Sequence, residues 1–242
     1  LRILSLSGRG LARVCPEVCL VSTLVSLDLS LNRISALPPE IELLIQLREL
    51  DVQENQLKAL PSEVGKLHEL RELTLSGNRF SKFPPELCKL NKLEVLKLSG
   101  NRLTSLPEEM KSMTNLKMLN LEKNQLVSLP EQLGSLEQLS SLNVGCNQLV
   151  RVPLDNIKLN HRLQEIYLDR NRLVEIPKEI EFLANLQRLH LEHNELRSLP
   201  KEITRLPHLK RLFIRGNKTI KLSSELKEYV KSTWRSKHGV LR

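Results

Sequence analysis

A leucine recurs along this chain at Leu1, Leu24, Leu47, Leu70, Leu93, Leu116, Leu139, Leu163, Leu186 and Leu209. The step is 23 residues each time, except from Leu139 to Leu163, where it is 24. The stretch LEVLKLSGNRLTSLPEEMKSMTN, from Leu93 to Asn115, serves as the type of the repeating unit. A unit this short cannot bury its apolar face within itself. Successive copies must stack on one another, which gives an elongated solenoid rather than a globule.

Inside each copy the pattern x-L-x-L-x reads as a short strand whose alternate side chains face opposite ways. In the type unit Leu96 and Leu98 point inward, while Val95, Lys97 and Ser99 point outward. The strands centre on Leu4, Leu27, Leu50, Leu73, Leu96, Leu119, Leu142, Ile166, Leu189 and Leu212. Stacked in parallel at about 4.8 Å, they make a sheet roughly 43 Å along its inner arc. Parallel sheets are normally covered on both faces. Here leucines cover one face, and the open concave face is where function is to be sought. An asparagine follows the strand in nine copies, as at Asn78, Asn101 and Asn124, and turns inward to bond buried backbone groups. The first copy has Arg9 instead, an atypical end turn. A Leu-Pro step then stops the strand, as at Leu106-Pro107, and P-x-E-I/L/V leads into a short helical turn on the convex side.

With its 23-residue period, L-x-x-L-x-L-x-x-N-x-L core and L-P-x-E-I-x-x-L outer side, the chain resembles leucine-rich-repeat proteins. In particular it is similar to the Ras-group, typical short intracellular class that includes the Ras suppressor protein and scribble-type scaffolds. The resemblance covers residues 1 to about 220. It implies a horseshoe of the α/β class with about ten repeats and a parallel concave β-sheet. It further implies cytoplasmic protein–protein binding, a signalling scaffold or adaptor role, and a partner from a small-GTPase pathway.

After Asn217 the repeat breaks. Leu222, Leu226, Tyr229, Val230 and Thr233 fall on one helical face, Ser223 and Ser224 offer an N-cap, and Glu225 suits the first turn. The expectation is a solenoid over residues 1–221, followed by a capping helix, Leu222–Trp234, and a basic tail bearing Arg235, Lys237 and Arg242. Repeat seven, VPLDNIKLNHRL, carries the extra residue and reads as a convex bulge, or alternatively as an epitope near Asn156 and His161. The chain opens on a repeat leucine with no initiator Met and no signal-peptide pattern. It therefore reads as a fragment with further repeats or a cap upstream. Cys15, Cys19, Cys88 and Cys146 are too few and scattered for a disulfide framework, which favours a reducing, intracellular setting.

Charge is uneven. The net +9 resides in residues 201–242, where twelve Lys or Arg face three Asp or Glu, while residues 1–200 carry 25 of each sign. That offers a rival reading, electrostatic binding of nucleic acid or anionic membrane through the C-terminal end. The scarcity of aromatics for base stacking and the locality of the excess count against it. A second rival is a recognition arm for an enzyme domain elsewhere. No nucleophile, P-loop or H-E-x-x-H context is present, so the chain reads as non-enzymatic, with no cofactor. His190 and His193 lack a third ligand, and the Cys15/Cys19 pair lacks a second pair, so no metal site is read. The sequon Asn217-Lys218-Thr219 places its Asn among the inward ones.

The outward positions are more informative. The central column reads Ser5, Asp28, Asp51, Thr74, Lys97, Asn120, Asn143, Tyr167, His190 and Phe213. Its early part is acidic, with Asp28 and Asp51 flanked by Glu49 and Glu72. Its late part is aromatic, flanked by Arg188, Arg211 and Arg215. Phe80 and Phe83 fill leucine slots and belong to the core. Tyr167 and Phe213 do not, and an outward aromatic column edged by arginines has the composition of a protein-binding hot spot. The chain reads as a monomeric interaction module that holds a protein partner on its concave face.

Overall fold

The computed structural model describes residues 1–153 and 162–235, the last four of these as backbone alone. The repeat-seven epitope near Asn156 and His161, and the tail residues Lys237 and Arg242, lie outside them. Ten three-residue strands form one open parallel sheet in sequence order. They are β1 Ile3–Ser5, β2 Ser26–Asp28, β3 Glu49–Asp51, β4 Glu72–Thr74, β5 Val95–Lys97, β6 Met118–Asn120, β7 Ser141–Asn143, β8 Glu165–Tyr167, β9 Arg188–His190 and β10 Arg211–Phe213. Every pair is in register one repeat apart, as in Leu73↔Leu96 and Ile166↔Leu189, so equivalent residues line up across the sheet. This is the horseshoe solenoid the repeat predicts.

The inward leucines form one continuous core. Leu73, Leu75, Leu96, Leu98, Leu119 and Leu121 are wholly buried, as is Phe80 in its leucine slot. Each such side chain contributes about 1.5–3 kcal/mol by leaving water. On the convex side the Leu-Pro step does what a proline can do. Pro107, extended at φ −79° and ψ 154°, precedes a five-residue 3-10 helix, Glu108–Ser112, that buries Met110. Pro38, Pro61, Pro84, Pro130, Pro177 and Pro200 precede equivalent helices.

The asparagines stitch the turns. Asn101 donates from Nδ2 to the carbonyls of Leu75 (3.0 Å), Leu98 (3.0 Å) and Ser99 (3.3 Å), and its Oδ1 accepts the Phe80 N–H (3.0 Å). Two of those four partners belong to the preceding turn, so the bonds satisfy backbone groups the sheet leaves buried and lock adjacent turns together. Asn217, the sequon asparagine, is 6% exposed and donates to Leu191 and Ile214 while accepting from Leu196. Attaching a glycan there requires the turn to open.

The two ends differ. In the first turn Arg9 is exposed, and Leu4 and Leu6 are only half-buried. At the other end helix α1, Ser224–Arg235, packs Leu226 (4% exposed) on the core, with Leu222, Tyr229 and Val230 half-buried around it. The helix begins two residues later than the Leu222 the sequence suggests. Ser223 is the N-cap, with Oγ accepting the Leu226 N–H at 3.2 Å, so Leu222 lies just outside the helix.

Candidate functional site on the concave face

Each strand presents three outward side chains, its first residue, its third, and the residue two beyond. Because the register never slips, these build three rows that run the length of the sheet. The middle row brings Tyr167, His190 and Phe213 together as the sequence predicts. The rings of Tyr167 and His190 stack at 4.4 Å between centroids and 18° between planes, and those of His190 and Phe213 at 4.3 Å and 19°. Mutual stacking leaves all three half-buried rather than fully facing solvent, with their edges forming one apolar strip.

The flanks of that strip differ from the expectation of a cationic border. Arg188 forms an ion pair with Glu165, the preceding residue of its own row, and Glu165 also accepts the Tyr167 hydroxyl at 3.1 Å. Burial first, and Glu165 second, push the Tyr167 phenol up. Arg211 and Arg215 are exposed, with no ion pair among the described residues. On the other side, Glu122, Asp169 and Glu192 occupy the third row ahead of Arg215. Glu192 Oε1 lies 3.5 Å from His190 Nδ1. Burial opposes ionisation most, but the His190 contact, a backbone bond and the neighbouring His190 and His193 together hold the Glu192 carboxyl low. Asp169 is pushed up, by burial and then by repulsion from Glu192. The strip thus has cations on both sides only at β10.

Glu165, Asp169 and Glu192 escape the sequence reading, although repeat position alone places them on the rows beside Tyr167 and His190.

The early part of the face is acidic as expected, with one member withdrawn. Glu72 pairs with Lys97 at 2.6 Å. That bridge crosses beside Thr74, which is in the middle row but only 5% exposed. Asp28 accepts from Ser5 Oγ (2.8 Å) and the Ser30 N–H (2.9 Å). Burial opposes these bonds but loses to them, and the carboxyl is held low. Asp51 is pushed up, chiefly by burial, against the bond from the Gln53 N–H. Glu49 remains exposed with no ion pair among the described residues. The acidic segment on β2 to β4 and the aromatic strip on β8 to β10 therefore share one face, joined by a polar middle of Asn120 and Asn143.

Other candidates are dispersed. Among the described residues no three His, Cys, Asp or Glu side chains are placed to hold a metal ion. Cys15 is exposed and Cys19 buried, its thiol pushed up by burial to about 11. Off the sheet, an open cleft of about 480 Å³ lies beside Asn171, Val174, His193, Arg197, Gly216 and Lys218.

A family model described as a leucine-rich repeat region matches residues 59–148. A second, described as leucine rich repeat, matches residues 22–80 and 161–218. No curated protein matches by sequence. Among solved structures, a leucine-rich-repeat protein of Leptospira interrogans is 36% identical with a TM-score of 0.91, covering 97% of this chain and 59% of that one. The leucine-rich-repeat ectodomain of the membrane receptor kinase GASSHO1/SCHENGEN3 from Arabidopsis thaliana was solved in complex with Casparian strip integrity factor 2. It is 27% identical with a TM-score of 0.55, covering 92% of this chain and 33% of that one. The plant peptide hormone receptor RGFR1, in complex with RGF2, is 23% identical with a TM-score of 0.75, covering 96% and 42%, a likeness of fold alone. The chain spans 59% of the Leptospira protein's length and less than half of either receptor.

Proposed function

We propose, because this chain belongs to the leucine-rich-repeat family, that it is a non-enzymatic module that binds an extended protein segment along its concave face. The observation that carries this reading is the Tyr167–His190–Phe213 stack, an aromatic strip along the middle row. Aromatic and arginine side chains dominate binding energy where they are held rigidly and flanked by polar neighbours. Ten strands in fixed register hold these on a grid, so little ordering entropy is lost on binding.

The partner chemistry follows from the rows. An apolar anchor lies against the stack, and acidic residues beside it meet Arg211 and Arg215. A basic stretch of the same segment reaches Asp28, Glu49 and Asp51, which sets its direction along the face. The resemblance of the repeat to the Ras-group form supports an adaptor or scaffold role in signalling. Four free cysteines and a sequon asparagine locked in its turn fit the cytoplasm. The receptor ectodomain solved in complex with Casparian strip integrity factor 2 supports a bound partner.

A displayed random-peptide library, panned on the wild-type chain, tests the reading. Enriched peptides are expected to carry an aliphatic or aromatic anchor flanked by Asp or Glu. They are expected to lose at least about 2 kcal/mol of affinity for the Tyr167→Ala/Phe213→Ala variant. Peptides that bind that variant normally, but lose binding to Glu109→Lys or Glu179→Lys on the convex side, would place the site on the wrong face.

A further inference from the structure

Between the ladder asparagine and the leucine before the proline, each turn runs along one lateral rim of the horseshoe. Consecutive turns are tied there by backbone bonds, such as Arg79 N–H to Leu57 O and Arg102 N–H to Phe80 O, both 2.8 Å. Side chains at equivalent positions therefore stand in rows at the strand spacing, about 4.8 Å apart. The position after the asparagine carries Arg33, Arg79, Arg102, Arg172 and Lys218. Two and three positions further come Lys58 and Arg197, then Arg13, Lys82, Arg151 and Lys221. These eleven exposed cations face only two acids on the same segments, Glu175 and Glu195. None of the eleven forms an ion pair among the described residues. On the opposite rim, by contrast, Arg71 and Lys117 share Glu94, and Lys92 pairs with Glu69.

We propose that this rim is a docking surface for an anionic lipid bilayer, on which the solenoid lies edge-on with its concave face free. The charge is spread over the turns from Arg13 to Lys221 instead of converging on one point, which suits a partner that is anionic everywhere. Each Lys or Arg near such a surface adds about 1 kcal/mol of attraction. Aliphatic side chains stand among the cations, with Val127 54% and Val150 51% exposed, as an interfacial surface requires. A nucleic acid is less well served. The aromatics of these segments, Phe80 and Phe83, are 0% and 6% exposed and cannot stack on bases. The convex side next to the rim bears a row of glutamates, Glu17, Glu40, Glu63, Glu86 and Glu109, which an anionic surface repels, so the edge-on pose is selected. This site draws on the whole length of the repeats and not on residues 201–242 alone.

Co-sedimentation with phosphatidylcholine vesicles containing about 30% phosphatidylserine, at ~150 mM salt, tests the proposal. The wild-type chain is expected to bind these vesicles and not pure phosphatidylcholine. Arg79→Glu/Arg102→Glu/Arg172→Glu is expected to lose at least about tenfold in partitioning. A variant of equal charge on the opposite rim, Arg2→Glu/Arg48→Glu/Lys210→Glu, is expected to lose less than about threefold. Melting curves confirm that both fold. If the rim variant does not fold, Val127→Ser/Val150→Ser reads the same surface and is expected to weaken binding. The proposal is overturned if wild type ignores the anionic vesicles or if both charge variants lose binding equally. Rim-dependent binding of a short RNA duplex that is tighter than vesicle binding also overturns it.

Discussion

The inward side chains of the ten strands are nearly uniform, leucine after leucine with an asparagine at nine of the ten turns, whereas the outward rows on the same strands change from acid to amide to aromatic. One backbone carries both. The inward side is constrained by packing, because a side chain of another volume disturbs the turns above and below as well as its own. The outward side meets water, so a substitution there changes what the surface can bind and little else. Identical residue types placed on the two sides are therefore the sharpest way to break the comparison.

Phenylalanine provides the largest expected contrast. Phe80 is fully buried in a leucine slot, while Phe213 ends the outward stack. Phe80→Ala is expected to cost about 3–5 kcal/mol, through lost transfer energy and the cavity left behind. Phe213→Ala loses only the stack with His190 and is expected to cost about 0.5–1.5 kcal/mol. Urea denaturation of the two variants decides it, and similar midpoints would dissolve the distinction between the sides.

Asparagine gives the next contrast. Asn101, 6% exposed, makes four bonds to backbone groups, whereas outward Asn120 accepts one, from the Glu122 N–H at 3.0 Å. Asn101→Ala leaves buried carbonyls and an N–H unpaired and is expected to cost about 1–3 kcal/mol. Asn120→Ala leaves a group that water can reach, and its expected cost is under about 1 kcal/mol. An unshifted denaturation midpoint for Asn101→Ala would remove the ladder from the account of stability.

A backbone effect comes third. The residue before each ladder asparagine has positive φ, as in Gly100 (65°) and Leu31 (56°). Side chains strain this conformation, so Gly100→Ala is expected to cost about 1 kcal/mol, although its added Cβ would approach nothing nearer than the Gly77 N at 3.4 Å. Leu31→Gly is expected to move the midpoint the other way. Equal signs for the two would mean that space, not φ, controls the position.

What the sequence makes legible follows from the same division between the sides. Periodicity locates the inward residues because one period governs them all, down to Phe80 in its leucine slot. It places Tyr167, His190 and Phe213 on one row for the same reason, since register sets their alignment. It does not disclose that Arg188 is consumed by Glu165, or Glu72 by Lys97. Those pairings depend on how long, flexible side chains reach across strands, and position in the repeat is silent on that. Nor does a count of charge along the chain reveal the basic rim. Its cations are dispersed through the sequence and become neighbours only when the turns stack. The positive-φ position has a sequence mark, since Gly8, Gly77, Gly100 and Gly216 share it, but six other residues there conceal it.

The smallest expected effect lies within the outward side itself, between two aspartates on adjacent strands of the middle row. Asp28 has its carboxyl held low in the folded chain, as the bonds from Ser30 and Ser5 outweigh burial. Asp51, one strand on, has its carboxyl pushed up, because burial and the nearby Asp28 outweigh the Gln53 N–H. The linkage signs are opposite. A carboxyl lower in the folded state adds stability above its unfolded pKa, about 3.9, and that stability is lost as pH falls through the folded value. A carboxyl higher in the folded state costs nothing below the unfolded value, and its cost develops as pH rises through the folded one. Asp28→Asn is therefore expected to melt below wild type at neutral pH, and Asp51→Asn above it. Asn keeps an oxygen for the Gln53 N–H, so that bond survives the second change. The Asp51 gap should close as pH falls to the unfolded value, about 3.9, and the Asp28 gap only below that, as pH falls through the lower folded value. A row of identical side chains on an unvarying strand grid would give equal signs. Opposite signs, read as melting temperatures against pH for the two variants, would show that outward neighbours individualise positions the repeat makes equivalent. If Asp51→Asn melts lower than wild type at neutral pH, its hydrogen bonds outweigh its burial, and the two aspartates are alike after all.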